Sequence, residues 1–419
     1  MELQRRSARI LQVVLPWSRT VWVLALSTVA RSIGHGTVVT VSVLYFTRSV
    51  DIPAARVGLG LTVAAVAGMV ASVPAGRLAD VIGARTASIW YVVLQGVALW
   101  SYPLVGGLTS LLVATGLVAV AESGSAAARG ALVAGVVPGP DRVRTRAYLR
   151  SATNVGFSVG TLVGGAALGS DTPAGYTAEL LGAGAMFVLA GLILLALTAP
   201  PAAPRAARGA RWPVLRDRPY AAIGLLNAVL ITNTGILNVA LPIWIAERTQ
   251  APTSVFAGLL LVNTVLVVFC QIPVSRGAED VRGGARAMRR SGLWLAACCV
   301  LFTLGSGPSP VAAVAVLAVG VVAHTIGELL YSAGSWALSY ELAPEHAHGQ
   351  YQGLFGLTSQ LGTAVTPAVT TFMIIDHGWF GWGVLAVLLA AAGLATPAVA
   401  RWAERTRPAA APALEPEPA

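Results

Sequence analysis

The chain has 419 residues, of which 56% are hydrophobic and only 11% are charged. A soluble domain typically carries about 25% charged residues. This chain therefore has too little charge to cover a surface that faces water, and the composition excludes a soluble domain. The formal net charge is +10, but the basic residues lie between apolar runs, which indicates membrane topology instead of nucleic-acid binding.

A helix needs about 20 mostly apolar residues to cross a bilayer. Twelve candidate spans follow in chain order, at 20–47, 56–76, 86–106, 108–130, 148–169, 178–199, 220–246, 254–275, 290–306, 310–342, 350–374 and 378–400. The first and tenth are long enough to tilt or to extend beyond the bilayer. The sequence therefore predicts an all-α membrane protein with twelve transmembrane helices.

The placement of arginine predicts the orientation of these spans. With the N-terminus in the cytoplasm, 23 of the 28 arginines fall in cytoplasmic segments and three fall in outside loops. The cytoplasmic set includes the group Arg142, Arg144, Arg146 and Arg150 before and at the start of the fifth span. Basic residues concentrate on the cytoplasmic side of membrane proteins. We expect a multi-pass protein of the bacterial inner membrane with both termini in the cytoplasm.

Two halves of the chain resemble each other. The stretch from Pro74 to Arg85 matches that from Pro273 to Arg286 in the spacing from proline to arginine and from proline to the first carboxylate. Glu122 and Glu328 each lie sixteen residues before a proline. We therefore predict two six-helix bundles in parallel repeat, with a site near mid-membrane between them. The predicted domains are a first bundle at 1–199, a basic linker at 200–219, a second bundle at 220–402 and a disordered tail at 403–419.

Ionisable residues are rare inside membrane spans because each costs about 2.5–3.5 kcal/mol on insertion scales. Those in this chain are Arg31 and His35 in span one, Glu122 and Arg129 in span four, and His324 and Glu328 in span ten. Arg31 and His35 share a helix face, as do His324 and Glu328, because each pair is four residues apart. Residues of this kind usually line a pathway.

The chain resembles the major facilitator superfamily, and within it the bacterial drug/proton antiporters. The family's loop between helices two and three reads G-x-L-A-D-R-x-G-R-[KR], and the matching residues here are Gly76, Leu78, Ala79, Asp80, Gly83 and Arg85, with Val81 and Ala84 in place of two arginines. The resemblance implies that Asp80 lies at a helix N-terminus or pairs with an arginine across the interface between the halves. There it would help to hold one state of the transport cycle.

The antiporter motif of helix five ends G-x-x-x-G-P-x-x-G-G. The matching residues here are Gly156, Gly160, Gly164 and Gly165, and Thr161 replaces the proline. The resemblance implies that this glycine face packs against the other half and favours antiport over symport. The alternative is generic close packing of helices through small residues.

By the same resemblance, spans one, four, seven and ten line the central cavity. Glu122 is the first candidate for the proton-coupling site, with Arg31 as its neighbour, because a carboxyl group inside the bilayer can bind a proton on one side and release it on the other. The alternative is a static ion pair. Glu328 with His324 forms either a second coupling site or a structural hydrogen bond.

The remaining cavity candidates are His35, Arg129, Asn233, Trp336, Tyr340 and Trp244. The alternative for His35 is a structural role, and the alternative for Arg129 is a position near the cytoplasmic end of its helix. We expect no metal site, because no metal-ligand spacing is present, and no cofactor, because no nucleotide-binding or nucleophile motif is present.

We expect a proton-coupled secondary transporter that exports a small hydrophobic or amphipathic compound, a drug or a metabolite, by alternating access, and not an enzyme. The expected partners are this small-molecule substrate, protons and the lipid bilayer, with no nucleic acid, and the expected functional unit is a monomer. One alternative is a proton-coupled importer of a sugar, peptide or organic acid, and an anion would favour Arg31 and Arg129 as ligands. An alternative of another class is a non-transporting membrane sensor on the same fold.

Overall fold

A computed structural model describes residues 18–170, 172–199, 212–307 and 309–406. The first half of the described chain forms the helices α1 (Arg19–Leu44), α2 (Ala54–Ile82), α3 (Ala84–Leu99), α4 (Leu108–Val136), α5 (Gly139–Ser170) and α6 (Pro173–Ile193). A π-helical turn at Tyr45–Ser49 follows α1. Short connections join these helices, so successive helices run in opposite directions.

The second half forms α7 (Arg218–Arg248), α8 (Val255–Ser275), α9 (Val281–Leu304), α10 (Pro310–Glu341), α11 (His348–Thr371) and α12 (Gly378–Arg405). Side-chain caps fix several starts. Asp217 Oδ1 accepts a hydrogen bond from the Tyr220 amide at 3.0 Å, and Ser309 Oγ accepts one from the Ala312 amide at 3.4 Å. Such caps satisfy amides that lack a partner within the helix.

Helix α7 is interrupted in its middle. Regular helix ends at Leu230, and a π-helical turn occupies Ile236–Ala240 before regular helix resumes at Leu241. A π-turn displaces carbonyl groups from the ordinary hydrogen-bond pattern. Within the interruption the Asn233 carbonyl accepts a hydrogen bond from the Ile236 amide and also lies 3.0 Å from a side-chain nitrogen of α10.

Eight helices among the described residues are long and apolar enough to cross a membrane, namely α2, α4, α6, α7, α8, α9, α10 and α12. Large apolar side chains lie exposed on the outside of the bundle, for example Val70, Leu162 and Val387. Apolar surface of this extent faces lipid. The chain is a multi-pass membrane protein with an all-helical fold over the described residues.

Several helices extend beyond the predicted spans, among them α5, α9 and α12. Helix α5 begins at Gly139 instead of 148, so the four arginines from Arg142 to Arg150 lie on a helix that packs inside the bundle, and not in a loop. Helix α9 begins at Val281. Helix α12 continues to Arg405, so residues 403–405 are helical and not part of a disordered tail. Residues 200–211 of the predicted linker and 407–419 of the predicted tail lie outside the described residues.

Buried apolar clusters follow the two halves. The largest cluster draws on residues from Val214 to Ala403, with Val73 as its member from the first half. A second cluster lies within Ala30–Ala190. A third joins Leu24, Leu132 and Leu149 of the first half to Tyr340 of the second.

The halves meet most closely at one end of the bundle. We call this the arginine-rich end, formed by residues 82–84, 137–139, 212–217, 276–280 and 342–347. The opposite end is formed by residues 45–53, 100–107 and 249–254. At the arginine-rich end α2 packs on α11, where Ser72 Oγ donates a hydrogen bond to the Gly353 carbonyl at 2.7 Å.

Candidate functional site

A cavity of about 610 Å³ runs from the middle of the helices toward the opposite end of the bundle. We call it the large cavity. Helices α1, α2, α3 and α4 form most of its wall, and most lining side chains are apolar. The polar lining residues are His35, Ser42, Gln95, Tyr102, Thr115, Glu122, Ser123 and Gln360. Among the described residues none from α7 or α10 lines the large cavity, although the predicted cavity had both in its wall.

His35 and Glu122 form the inner end of the large cavity. His35 Nδ1 lies 3.6 Å from Glu122 Oε1, and the two side chains are 36% and 43% exposed. The His35 ring also packs against Phe157, with ring centroids 5.9 Å apart. Protonation of His35 would complete an ion pair with the carboxylate. The sequence placed these residues on different spans, and the structure brings them together at a solvent-accessible position.

A second, smaller cavity lies between the large cavity and the arginine-rich end. Its volume is about 200 Å³, and its lining residues are Leu24, Ser27, Thr28, Arg31, Arg129, Val133, Arg146, Leu149, Arg150, Thr153, Leu194 and Trp336. We call it the arginine chamber. Arg31 lies one helical turn from His35 and interacts electrostatically with Glu122. Arg31 of the chamber and Glu122 of the large cavity are therefore close enough for their charges to interact.

Glu328 is held by an ion pair across the two halves. Arg150 donates from Nη2 to Glu328 Oε1 and from Nη1 to Ser332 Oγ. Asn263 Nδ2 donates to Glu328 Oε2 at 3.2 Å and to Thr325 Oγ1 at 3.0 Å. Glu328 thus joins α5 of the first half to α8 and α10 of the second.

His324 does not hydrogen-bond to Glu328, which was one of the two expected arrangements. Its Nε2 lies 3.0 Å from the Asn233 carbonyl oxygen, which belongs to the interrupted part of α7. His324 and Asn233 are 1% and 0% exposed. Asn233 therefore belongs to the packing between α7 and α10, and the prediction that it lines the cavity is wrong in this conformation.

The aromatic candidates of α10 lie near the arginine-rich end. Trp336 lines the arginine chamber. Tyr340 is buried, with the Arg146 guanidinium 5.6 Å from its ring centroid. Trp244 is also buried, and its Nε1 donates to the Phe302 carbonyl at 2.9 Å. Tyr340 and Trp244 are packing residues in this conformation and do not line either cavity.

Asp80 lies at the N-terminus of α11. Its two carboxylate oxygens accept hydrogen bonds from the backbone amides of Gly349 and Gln350, at 2.5 and 2.9 Å. A carboxylate at this position satisfies unpaired amides and complements the helix dipole. Of the two places expected for Asp80, the structure has the helix N-terminus. The contact joins the halves.

The other residues that match the family's motif between α2 and α3 have different structural roles. Gly76 touches the Gly349 backbone so closely that an added Cβ would overlap its carbonyl oxygen. Gly83 separates α2 from α3 with a φ of 91°, which favours glycine. Arg85 donates to the carbonyl groups of Leu194 and Leu195, at 3.3 and 2.7 Å, and so fixes the end of α6.

The glycine face of α5 packs within its own half. Added Cβ atoms at Gly156, Gly160 and Gly164 would meet Val29, Ile33 and Thr40 of α1, whereas one at Gly165 would meet open space. The expectation that this face packs against the other half is therefore wrong in this conformation. The close approach of α5 to α1 places Arg150 beside the chamber that also holds Arg31.

The sequence model of the Major Facilitator Superfamily matches residues 24–367 and 223–419. The chain belongs to the Major Facilitator Superfamily. No curated protein sequence matches the chain.

Solved structures of low sequence identity share the Major Facilitator Superfamily fold with this chain. A bacterial homologue of the iron transporter ferroportin in its outward-facing state has a TM-score of 0.70 at 14% identity, over 93% of this chain and 100% of that one. The transporter FucP in the outward conformation has a TM-score of 0.69 at 13% identity, over 92% and 98%. The human organic anion transporter MFSD10 has a TM-score of 0.67 at 14% identity, over 91% and 100%. These identities establish the fold alone.

Members of the Major Facilitator Superfamily are membrane transporters, so this chain is a transporter of a small molecule and not an enzyme. Sequence reasoning missed Arg146, Arg150, Asn263 and Gln360 as site residues. The signal for the two arginines was available, because they follow one another at four-residue spacing toward the apolar part of α5. None of the described residues forms a group of three or more His, Cys, Asp and Glu side chains that could hold a metal ion.

Proposed function

We propose that this chain is a proton-coupled secondary transporter that exports a small amphipathic compound by alternating access. The observation that carries the proposal is the His35–Glu122 pair, 3.6 Å apart at the inner end of the large cavity. A titratable pair that is open to solvent on one side, within a bundle that is closed on the other, has the placement that proton coupling needs.

The closed end supports alternating access. Toward the arginine-rich end the halves are joined by Asp80 on the α11 amides and by Ser72 on Gly353, and nearer the middle of the helices they are joined by the Arg150–Glu328 ion pair. Arg142 Nη1 adds a contact to Glu341 Oε1 at 3.4 Å. Each of these contacts spans the two halves, so all of them must break before the arginine chamber can open at this end.

The proposed proton step uses the charges around Glu122. Glu122 interacts with both Arg31 and Arg129 of the chamber. Protonation of Glu122 from the large cavity removes a negative charge that attracts these two arginines. The change in charge biases the halves toward a new arrangement, because two states are interconverted only by a difference in interaction energy between them.

The large cavity supports an amphipathic substrate. Its volume of about 610 Å³ is within the range of about 300–1,000 Å³ typical of small-molecule sites. Apolar side chains such as Val38, Leu61 and Val118 supply most of the wall, and Gln95 and Gln360 supply hydrogen-bonding groups. Transport by a monomer of the bacterial inner membrane, with both termini and the arginine-rich end in the cytoplasm, completes the proposal.

Import of an organic acid together with a proton is a second candidate, which the arginine chamber favours. Protonation of Glu122 would leave the Arg31 charge free for an anion, so that proton and anion would bind together. Export in exchange for protons requires instead that proton binding and substrate binding exclude each other. Vesicles of both orientations distinguish these directions of transport.

The test is transport in inverted and right-side-out vesicles with an imposed pH gradient and a panel of amphipathic dyes. The proposal expects gradient-driven accumulation of at least one dye in inverted vesicles and its loss in Glu122→Gln, which keeps the size of the side chain. Arg290→Gln, at an exposed position of α9, is the control and should retain the wild-type rate. Accumulation in right-side-out vesicles alone would support the second candidate, and an unchanged rate in Glu122→Gln would contradict coupling through this residue.

A further inference from the structure

The arginine chamber contains more positive charge than the surrounding carboxylates balance. Four arginines from three helices line it, namely Arg31, Arg129, Arg146 and Arg150. The carboxylates that interact with them are Glu328, which pairs with Arg150, and Glu122, which lies beside His35. At least two guanidinium charges are therefore left without a carboxylate counterpart among the described residues.

The individual contacts of these arginines do not neutralise them. Arg129 Nε donates to the Ser125 carbonyl at 3.3 Å, and Arg146 lies over the Tyr340 ring. Arg31 Nε is buried and has no hydrogen-bond partner among the described residues. Arg129 also experiences repulsion from Arg31 and Arg146. Like charges that are held together inside a low-dielectric bundle are costly unless a counter-charge joins them.

The shape of the two cavities limits which anion fits. The chamber holds about 200 Å³ and has room for a charged group, whereas the large cavity, which lies further from the arginine-rich end, holds about 610 Å³ and is mostly apolar. Guanidinium groups recognise planar oxyanions through paired N–H donors. We propose that the transported compound is an organic anion whose carboxylate binds in the arginine chamber, at Arg31 and Arg129, and whose apolar body lies toward the large cavity.

The chamber is formed by both halves. Helices α1, α4 and α5 supply the arginines, and α10 supplies Trp336, with Glu328 on the same helix pairing with Arg150. When the halves separate at the arginine-rich end, Trp336 leaves the wall and the chamber opens toward that side. An anion therefore reaches the arginines from the arginine-rich end. The inference rests on the proposed transport function, and of its two candidates it agrees better with import together with a proton, because protonation of Glu122 leaves the Arg31 charge free for the anion.

The test measures binding of three probes that share one apolar body, 2-naphthoate, 2-naphthamide and 2-naphthylmethylammonium, to the full chain in nanodiscs by equilibrium dialysis. The inference expects 2-naphthoate to bind at least tenfold more tightly than the other two. Arg31→Gln and Arg129→Gln should each weaken 2-naphthoate binding about tenfold and leave 2-naphthamide binding unchanged. Arg290→Gln is the matched control and should bind all three probes as the wild type does.

The comparison of the three probes on the wild-type chain does not depend on whether the arginine variants fold. Equal binding of the three probes, no binding of 2-naphthoate at millimolar concentration, or wild-type 2-naphthoate binding by folded Arg31→Gln and Arg129→Gln would each overturn the inference. In each of these cases, flux of the neutral probe in vesicles would still support the proposed transport function. Tight 2-naphthoate binding without flux of any probe would contradict the transport function and would still support the anion site.

Discussion

Gly76→Ala tests whether the contact between α2 and α11 closes the arginine-rich end. The added Cβ would overlap the carbonyl oxygen of Gly349. The obstacle is backbone, so no side chain can rotate away, and the helices must separate. Overpacking of this kind costs about 1–3 kcal/mol. Since each 1.4 kcal/mol is a factor of about ten, the substitution should shift the equilibrium away from the closed end by about 5- to 150-fold.

Spin labels on the two halves measure this shift. Thr86 on α3 and Glu345 before α11 are exposed at the arginine-rich end, and cysteines at both sites accept the labels once Cys270, Cys298 and Cys299 are replaced by serine. Pulsed electron–electron double resonance should show a longer distance between the two labels in Gly76→Ala than in the parent, which is the labelled chain without this substitution.

Gly165→Ala is the control for this substitution, because an added Cβ at that helical glycine would meet open space. Its distance distribution should equal that of the parent. An unchanged distribution in Gly76→Ala, or an equal shift in Gly165→Ala, would refute the assignment of this contact to closure.

Three further substitutions test polar contacts between helices of the bundle. Asp80→Asn weakens two charge-assisted hydrogen bonds to α11, worth about 1.5–3 kcal/mol each, so the label distance at the arginine-rich end should lengthen; a parent-like distance would contradict this role. Glu328→Gln leaves Arg150 without its carboxylate and should destabilise the chain by about 3–5 kcal/mol in thermal unfolding. The double variant with Arg150→Gln should recover part of this loss of stability. A double variant less stable than Glu328→Gln alone would argue against the ion pair. Asn227→Ala removes the acceptor of the Tyr331 and Ser335 hydroxyl groups. The substitution should lower the free energy of unfolding by about 1–3 kcal/mol for each donor left unsatisfied. A wild-type unfolding midpoint would show that these hydrogen bonds between α7 and α10 do not stabilise the fold.

The sequence was sufficient for the fold because the fold depends on long apolar stretches. Segments such as 108–130 and 310–342 read directly as helices, and the structure has them as Leu108–Val136 and Pro310–Glu341. Helix starts that carry charge were harder to predict. The arginines from Arg142 to Arg150 resemble a loop by hydropathy, yet they lie on α5 because that end of the helix packs against charged partners of the other half.

The candidate site was predictable at the level of residue type. The spans that hold Arg31, His35 and Glu122 do converge, because α1 and α4 both contribute to the wall of the large cavity. Partners across the halves were not predictable from spacing. Glu122 and Glu328 match in the predicted sequence repeat, yet Glu122 faces a cavity and Glu328 is held by Arg150. The spacing of a repeat does not show which partners each position meets in one conformation.

Transport in proteoliposomes tests most directly whether Glu122 couples proton movement to substrate movement. Proteoliposomes loaded with a transported compound can be measured for exchange without a gradient and for uphill accumulation with a pH gradient. We expect Glu122→Gln to retain exchange and to lose uphill accumulation, because the cavity is intact and the proton carrier is gone. Uphill accumulation at the wild-type rate in Glu122→Gln would show that Glu122 is not the coupling residue.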